Sequence, residues 1–142
     1  MRLAVLLLAS AALAAGCADE QSERASNALN EATALEIKVW PRGEDSRATE
    51  YSLICVKEED ATPEEANQLP DAANACRRLL QLENPFEPLP LGVSCTQIYG
   101  GPQVAEVRGT FKGRSIKARF SRADGCQIDR WDRHRFLFPI GT

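Results

Sequence analysis

The residues of this chain with the greatest potential for chemistry are clustered around one cysteine. Cys95 is followed by Thr96-Gln97-Ile98-Tyr99, and the β-branched residues of this stretch restrict χ1 and favour an extended backbone. A stiff extended segment can add as a strand to a partner, with main-chain hydrogen bonds supplying affinity and side-chain pockets supplying specificity. We predict an exposed binding loop whose residues are Ser94, Cys95, Thr96, Gln97, Ile98 and Tyr99.

Catalytic and metal-binding groups are sparse elsewhere in the sequence. The only histidine, His134, stands among the charged residues of Asp132-Arg133-His134-Arg135, which favours a solvated surface position over a general base. The acidic run Glu58-Glu59-Asp60 lacks the regularly spaced oxygen ligands of a calcium loop, which favours a solvated loop. We therefore predict that the protein is not an enzyme and holds neither a metal ion nor a cofactor.

The composition fits one small secreted domain. A length of 142 residues with 44% hydrophobic content leaves little room for a second core. Aromatic residues make up only 6% of the chain, so the core is thin, and small secreted domains with thin cores are commonly reinforced by disulfides. The formal net charge is -3 with no basic cluster beyond short pairs, which argues against a nucleic-acid partner.

The N-terminus predicts export. Arg2 precedes an apolar run from Leu3 to Ala15, which is too short to span a bilayer as a stable helix. The run ends in Leu13-Ala14-Ala15-Gly16-Cys17, which resembles a bacterial lipobox, and we predict a signal segment over residues 1–17 with a lipid on Cys17. The alternative is plain secretion after ordinary cleavage at a small-x-small site in the same stretch.

The next segment predicts a tether. Residues 18–34 are rich in Ala, Ser, Asn and Gln and contain almost no large apolar side chains, as flexible linkers do. We expect the domain of residues 35–142 to be secreted and held at the outer face of the bacterial cell membrane by the lipid on Cys17.

The cysteine count supports this prediction. Four cysteines remain besides Cys17, an even number in an oxidising compartment, so we predict two disulfides. Four cysteines allow three pairings, and their spacing does not select one. No two are spaced like a zinc-binding pair, so a metal site is disfavoured. The four are Cys55, Cys76, Cys95 and Cys126.

Hydrophobic periodicity predicts an α+β domain. Strands are indicated where apolar and polar residues alternate, and helix starts where a capping residue precedes a helical pattern. The predicted strands are Leu35–Val39, Tyr51–Val56, Val104–Arg108, Ile116–Phe120 and Arg135–Phe138, with a turn region at Gly109–Gly113. The predicted helices begin at Thr62 and Asp71, and the second one directs Cys76 toward the core.

With these elements in place, the chain resembles the Streptomyces subtilisin inhibitor family of secreted actinobacterial serine protease inhibitors. The resemblance covers residues 35–138 and rests on the order and spacing of several short stretches. They are Tyr51-Ser52-Leu53-Ile54-Cys55, Ala75-Cys76-Arg77-Arg78-Leu79, Cys95-Thr96-Gln97-Ile98-Tyr99, Val107-Arg108-Gly109-Thr110-Phe111-Lys112-Gly113-Arg114-Ser115-Ile116, Phe120-Ser121, Cys126 and Phe136-Leu137-Phe138.

The resemblance implies a fold and a function. It implies a five-stranded antiparallel sheet with two short helices, commonly in a homodimer, with disulfides Cys55–Cys76 and Cys95–Cys126. It also implies a serine-type endopeptidase inhibitor whose reactive bond is Gln97–Ile98 and whose partner is a secreted subtilisin-like or trypsin/chymotrypsin-like serine protease. The alternative is a non-inhibitory cell-envelope lipoprotein that uses the same scaffold as a binding module.

The chain departs from the family pattern around the reactive bond. Members often carry methionine or lysine where this chain has Gln97, and proline where it has Thr96. The Gly100-Gly101 pair lengthens the segment after the bond by one residue, and glycine adds conformational freedom there.

Overall fold

Alternating apolar and polar residues build a sheet at the centre of the domain. The computed structural model describes residues 32–55 and 67–140. Within these ranges the strands are β1 (Thr33–Trp40), β2 (Thr49–Cys55), β3 (Val104–Phe111) and β4 (Arg114–Ser121). They form one antiparallel sheet in the order β2-β1-β3-β4. The sheet is accompanied by two helices, α1 (Ala72–Leu80) and α2 (Gly125–His134).

The structure confirms the α+β class and corrects the strand count. The described part of the chain has a four-stranded sheet, not the five strands that the resemblance implies. The stretch Arg135–Phe138, expected as the last strand, instead begins with a 3₁₀ turn over Arg135–Leu137. Residues 1–17 with Cys17, the helix start at Thr62 and the run Glu58–Asp60 lie outside the described residues.

The inner face of the sheet forms one side of the core. Leu35, Ile37 and Val39 alternate along β1 and are at most 2% exposed, as the period of a strand requires. In the register, Ile37 lies opposite Tyr51 on β2 and Val107 on β3, so apolar rows run across the strands. Strand β1 begins at Thr33, two residues before the domain start expected at Leu35, because Thr33 is buried and its hydroxyl accepts a hydrogen bond from the Lys112 amide at 3.1 Å.

Strand β3 continues through Gly109 to Phe111, so only the last two residues of the predicted turn region Gly109–Gly113 form the turn. A Cβ at Gly109 would overlap the carbonyl oxygen of Ala34, so the glycine marks a close approach of two strands rather than a change of direction. The turn lies three residues later, at Lys112 and Gly113, whose φ values of 47° and 73° are both positive, as a two-residue type I′ hairpin requires.

Helix α1 is fixed to the sheet by covalent and polar contacts. A disulfide joins Cys76 on the helix to Cys55 at the end of β2, as the resemblance implies. At the other end of the helix, the Lys112 ammonium donates hydrogen bonds to the carbonyls of Leu80 at 3.1 Å and Leu82 at 3.3 Å. These bonds satisfy C-terminal carbonyls that have no partner within the helix.

The sequence patterns do not predict helix α2, although its capping signal is present. The Asp124 carboxylate accepts a hydrogen bond from the Gln127 amide at 2.9 Å, which is the usual role of an N-cap residue. The alternating Phe136 and Phe138 resemble a strand, but Phe138 packs its ring against Trp131 of α2 at a centroid distance of 4.7 Å. Packing of a short turn on a helix therefore explains why this stretch is not a strand.

His134 is buried, and the expectation of a solvated surface histidine is wrong. Its side chain is 6% exposed because it lies on the inner face of α2, with the Phe120 ring at a centroid distance of 4.9 Å. Nδ1 lies 2.8 Å from the carbonyl oxygen of Arg130, which can only accept, so Nδ1 donates. Burial lowers the pKa of His134 from its ordinary value, and the carbonyl opposes this effect less strongly.

The lowered pKa of His134 predicts acid sensitivity of the fold. The unfolded chain binds a proton at about pH 6.5, where the folded chain does not, so stability falls as the pH drops below about 6.5 toward the folded pKa. We expect the midpoint temperature of thermal unfolding to decrease as the pH is lowered from about 7.5 to about 5, and to decrease more steeply for the wild type than for His134→Phe, which keeps a ring but cannot titrate. Equal slopes for the two proteins, measured by thermal unfolding, would contradict this assignment.

Candidate functional site

The chain around the Gln97–Ile98 bond is attached to the domain on both sides of that bond. On the N-terminal side, a disulfide joins Cys95 to Cys126, and the Thr96 carbonyl accepts a hydrogen bond from the Gly125 amide at 2.9 Å. On the C-terminal side, the Gly100 amide donates to the Arg122 carbonyl at 2.8 Å. The partners all belong to residues 122–126, which connect β4 to the first turn of α2, and we call this stretch the junction.

Only Gln97, Ile98 and Tyr99 lie between these attachments, and they project into solvent. The side chain of Ile98 is 60% exposed and that of Tyr99 is 68% exposed. Gln97 is exposed as well. Within the described residues, no backbone–backbone hydrogen bond ties up the amides and carbonyls of these three residues, so they are free to bond to a partner.

All six predicted loop residues are therefore brought together. The candidate loop, Ser94 to Tyr99, forms one continuous surface feature in which only Cys95 is partly buried, because its sulfur is bonded to the domain. The Gln97 side chain folds back, and its Nε2 donates to the Cys95 carbonyl at 3.3 Å. This long contact is exposed to solvent, so it can be exchanged readily for a contact with a partner.

The glycines near the loop permit close packing. A Cβ at Gly100 would lie 2.7 Å from Cγ1 and 2.8 Å from Cδ1 of Ile128, which lies in the second turn of α2. A Cβ at Gly125 would overlap the hydroxyl oxygen of Thr96. The freedom expected from the Gly100-Gly101 pair is therefore restricted at Gly100 by its hydrogen bond and by Ile128.

The residues that support the loop are the part of the site that sequence reasoning misses. Arg122, Gly125 and Ile128 contribute a carbonyl, an amide and an apolar surface, none of which has a sequence signature of its own. The one available signal is the Asp124 cap, which marks the start of α2 directly before Cys126. The pairing Cys95–Cys126 implied by the resemblance is present, and it is what brings this helix start to the loop.

A metal site at the junction is not compatible with the disulfide. Cys95, Cys126 and Asp124 each offer a ligand atom, and these atoms lie within 4.8 Å of one another. However, both sulfurs are consumed by the disulfide, and the Asp124 carboxylate caps α2. A cysteine binds a metal ion as its thiolate, which a disulfide does not supply.

A groove on the outer face of the sheet lies away from the loop. It has a volume of about 630 Å³ and runs over the outer face of the sheet, between residues such as Glu36, Trp40 and Arg108. Charged side chains along it pair with one another, as Lys38 does with Glu50 at 2.8 Å and Arg108 with Glu106 at 2.7 Å. The only histidine of the chain, His134, is buried among aromatic rings and does not line this groove.

Comparisons with known proteins add no assignment to this geometry. No protein-family model matches the chain, and no curated protein matches it. Within the described residues, no helix is long and apolar enough to cross a membrane. The function is therefore argued from the candidate loop and the junction.

Removal of the Cys95–Cys126 disulfide should loosen the loop specifically. The Cys95–Cys126 disulfide closes a loop of 31 residues and the Cys55–Cys76 disulfide closes one of 21. We therefore expect Cys95→Ser/Cys126→Ser and the matched control Cys55→Ser/Cys76→Ser to lower the free energy of unfolding by a similar amount, about 3 kcal/mol. Only the first pair is next to Gln97, so only it should accelerate hydrogen exchange at the Gly100 and Gly125 amides, whose hydrogen bonds attach the loop, under conditions where both variants stay folded. Equal acceleration in both variants would show that the disulfide does not hold the loop.

Proposed function

We propose that this chain is an inhibitor of secreted serine endopeptidases that acts through a substrate-like loop, with Gln97–Ile98 as its reactive bond. One observation carries the proposal: the chain is attached at Thr96 and at Gly100, while the bond between these attachments is exposed. A protease substrate must present a free, extended segment, and an inhibitor must also keep that segment from leaving after cleavage. The attachments on both sides of the bond suit the second requirement.

Attachment of the loop also favours tight binding. A flexible peptide loses conformational freedom when it enters a protease cleft, whereas a loop held in place before binding loses little. The exposed amides and carbonyls of Gln97, Ile98 and Tyr99 then pair with the edge of the cleft as an added strand. Most of the interaction free energy is therefore retained as affinity.

The same attachments explain slow net cleavage. Attack by the enzyme's serine on the Gln97 carbonyl breaks the peptide bond and forms an acyl-enzyme, with the proton passing to the new amine of Ile98. That amine is two residues from the Gly100 attachment, and the acyl group is one residue from the Thr96 attachment, so neither departs. The amine then attacks the acyl carbon, reforms the peptide bond and releases the serine at high effective concentration.

The residue at the reactive bond limits the class of target. Gln97 is neutral and polar, so it suits neither a deep pocket with a fixed charge nor a purely apolar one. A broad pocket of the subtilisin type accepts a side chain of this size while its amide stays solvated. The primary pocket of secreted subtilisin-like proteases therefore suits Gln97 better than that of trypsin-like ones.

The proposed lipid on Cys17 is compatible with this function because of where the chain enters the domain. The Ala32 carbonyl accepts a hydrogen bond from the Gly113 amide at 3.0 Å, at the end of the sheet formed by the β3–β4 turn. The candidate loop lies at the other end, where Trp40, Val104 and Ser121 are paired. Strands of eight residues, at about 3.3 Å each, separate the two ends by about 26 Å. In a membrane-anchored chain, the tether would enter the domain at the end opposite to the loop.

The experiment that tests the proposal is a titration of subtilisin with the oxidised full chain, with mass spectrometry of the Gln97–Ile98 bond. We expect a linear loss of protease activity to a stoichiometric endpoint while the bond stays intact or is cut slowly. Rapid cleavage without inhibition would contradict the trapping step. Neither inhibition nor cleavage would favour the alternative of a non-inhibitory envelope lipoprotein.

A substitution at Gln97 should redirect the specificity of the inhibitor. Gln97→Lys introduces a cation for the acidic pocket of trypsin, and we expect it to tighten trypsin inhibition by about 100-fold, which corresponds to the strength of a hydrogen bond between charged groups. The control Gln81→Lys makes the same chemical change at an exposed position after α1. If the two variants inhibit trypsin equally, Gln97 does not occupy the primary pocket.

A further inference from the structure

The large hydrophobic residues exposed on the described surface are confined to one short stretch. They are Leu91, Val93, Ile98 and Tyr99, and Leu91 is fully exposed at 102% of its reference area. Ile98 and Tyr99 belong to the candidate loop, whereas Leu91 and Val93 precede it. Scattered exposed apolar residues are ordinary, but a contiguous group of them marks an interaction site.

Two apolar side chains of the segment before the loop, those of Leu91 and Val93, are exposed and lie outside the core. We call residues 88–93 the apolar arm. In the described part of the chain, no backbone–backbone hydrogen bond involves any residue of this arm. Leu91 and Val93 are exposed, whereas Leu89 is half-buried. The Leu91 side chain is fully exposed and contributes nothing to the core. The arm is bent by Gly92, whose φ of 77° is in the left-handed region.

The arm and the loop also share a lack of charge. Charged residues make up 26% of the chain, yet residues 88–105 contain no Asp, Glu, Lys or Arg. Covering this stretch therefore requires no desolvation of an ionised group, which is the largest cost of burying a surface. The neutral stretch begins with the arm and continues past the candidate loop, so one partner can cover both without meeting a charge.

We propose that the apolar arm is a second contact surface for the same protease that takes the loop, seated against an apolar patch beside the non-primed end of the enzyme's cleft. This inference rests on the proposed function and extends it to the class of target. Val93 lies four residues and Leu91 six residues before Gln97, so at about 3.3 Å per residue they reach at most about 13 and 20 Å from it. The target is then an endopeptidase with an extended apolar cleft, and the arm supplies binding that the neutral Gln97 does not.

The contact through the arm should be visible as a loss of affinity without a loss of stability. We expect Leu91→Ser in the oxidised full chain to raise the inhibition constant for subtilisin about tenfold, equivalent to about 1.4 kcal/mol. The matched variant Leu91→Met keeps an apolar side chain of similar volume and should inhibit like the wild type. Both should unfold at the same temperature as the wild type, because Leu91 packs against nothing in the domain.

A second measurement tests the neutrality of the surface. Because the stretch from the arm through the loop carries no charge, the inhibition constant should change by less than about twofold between about 0.05 and about 0.5 M salt. An electrostatically driven complex would weaken markedly over the same range.

The outcomes separate this inference from the proposed function. If the wild type inhibits and Leu91→Ser inhibits equally well, or if salt strongly weakens the complex, the proposal that the arm contacts the protease is wrong, and the proposed inhibitor function is retained. If the wild type is cut without inhibiting, the same comparison is made on KM for cleavage, and an unchanged KM for Leu91→Ser overturns the arm. If the wild type neither inhibits nor is cut, both proposals fail together.

Discussion

The structure depends on one constraint above others, the attachment of an exposed loop to the start of a helix. The junction between β4 and α2 supplies a sulfur, a carbonyl and an amide to the chain around Gln97. An isolated extended segment in solvent is not stable, because nothing compensates the conformational entropy lost when it is ordered. Each attachment removes part of that freedom in advance, and the helix start is itself fixed by the Asp124 cap and by the packing of Trp131 in the core.

The rigidity of the loop therefore has its origin in the core on the other side of α2. Trp131, Phe120 and Phe138 stack at centroid distances of 4.7 to 5.0 Å and hold the helix against β4. The Arg130 guanidinium lies over the Phe120 ring at 4.2 Å and donates to the Arg119 carbonyl at 2.7 Å. A chain with only 6% aromatic residues concentrates several of them here, so the thin core is strongest beneath the junction. Order is transmitted from this cluster through α2 to the loop.

Much of the fold follows from local patterns, and the rest depends on tertiary packing. The alternation along β1 predicts its buried face, and the stiffness of Thr96 and Ile98 predicts an extended loop. The predicted turn region Gly109–Gly113 contains the turn at Lys112 and Gly113 but begins too early, and the strand predicted at Arg135–Phe138 is wrong. Both errors have the same reason, because a glycine or an alternating apolar pair is compatible with two structures. The Ala34 carbonyl leaves room only for a glycine at position 109, and the Phe138 ring packs against Trp131. Both contacts form only when the chain folds, so the local sequence pattern does not reveal them.

The candidate site shows the same division at finer detail. Loop residues are identified from their own chemistry, because exposure and β-branching are local properties. The supporting residues act through backbone groups and through the absence of a side chain, as at Gly125 beneath Thr96, and such roles leave almost no trace in residue type.

The position of the loop also accounts for how the protein tolerates exposed apolar residues. A hydrophobic stretch on a free strand edge is a template for self-association. Here the loop is short, the segment before it is bent at Gly92, and the sheet's outer face carries paired charges such as Lys38 with Glu50. The loop and this segment therefore offer no flat, continuous edge for pairing. Under the proposed function, a concave protease cleft would reach around the bend, and the attachments at the junction, rather than the apolar side chains alone, would be the basis of recognition.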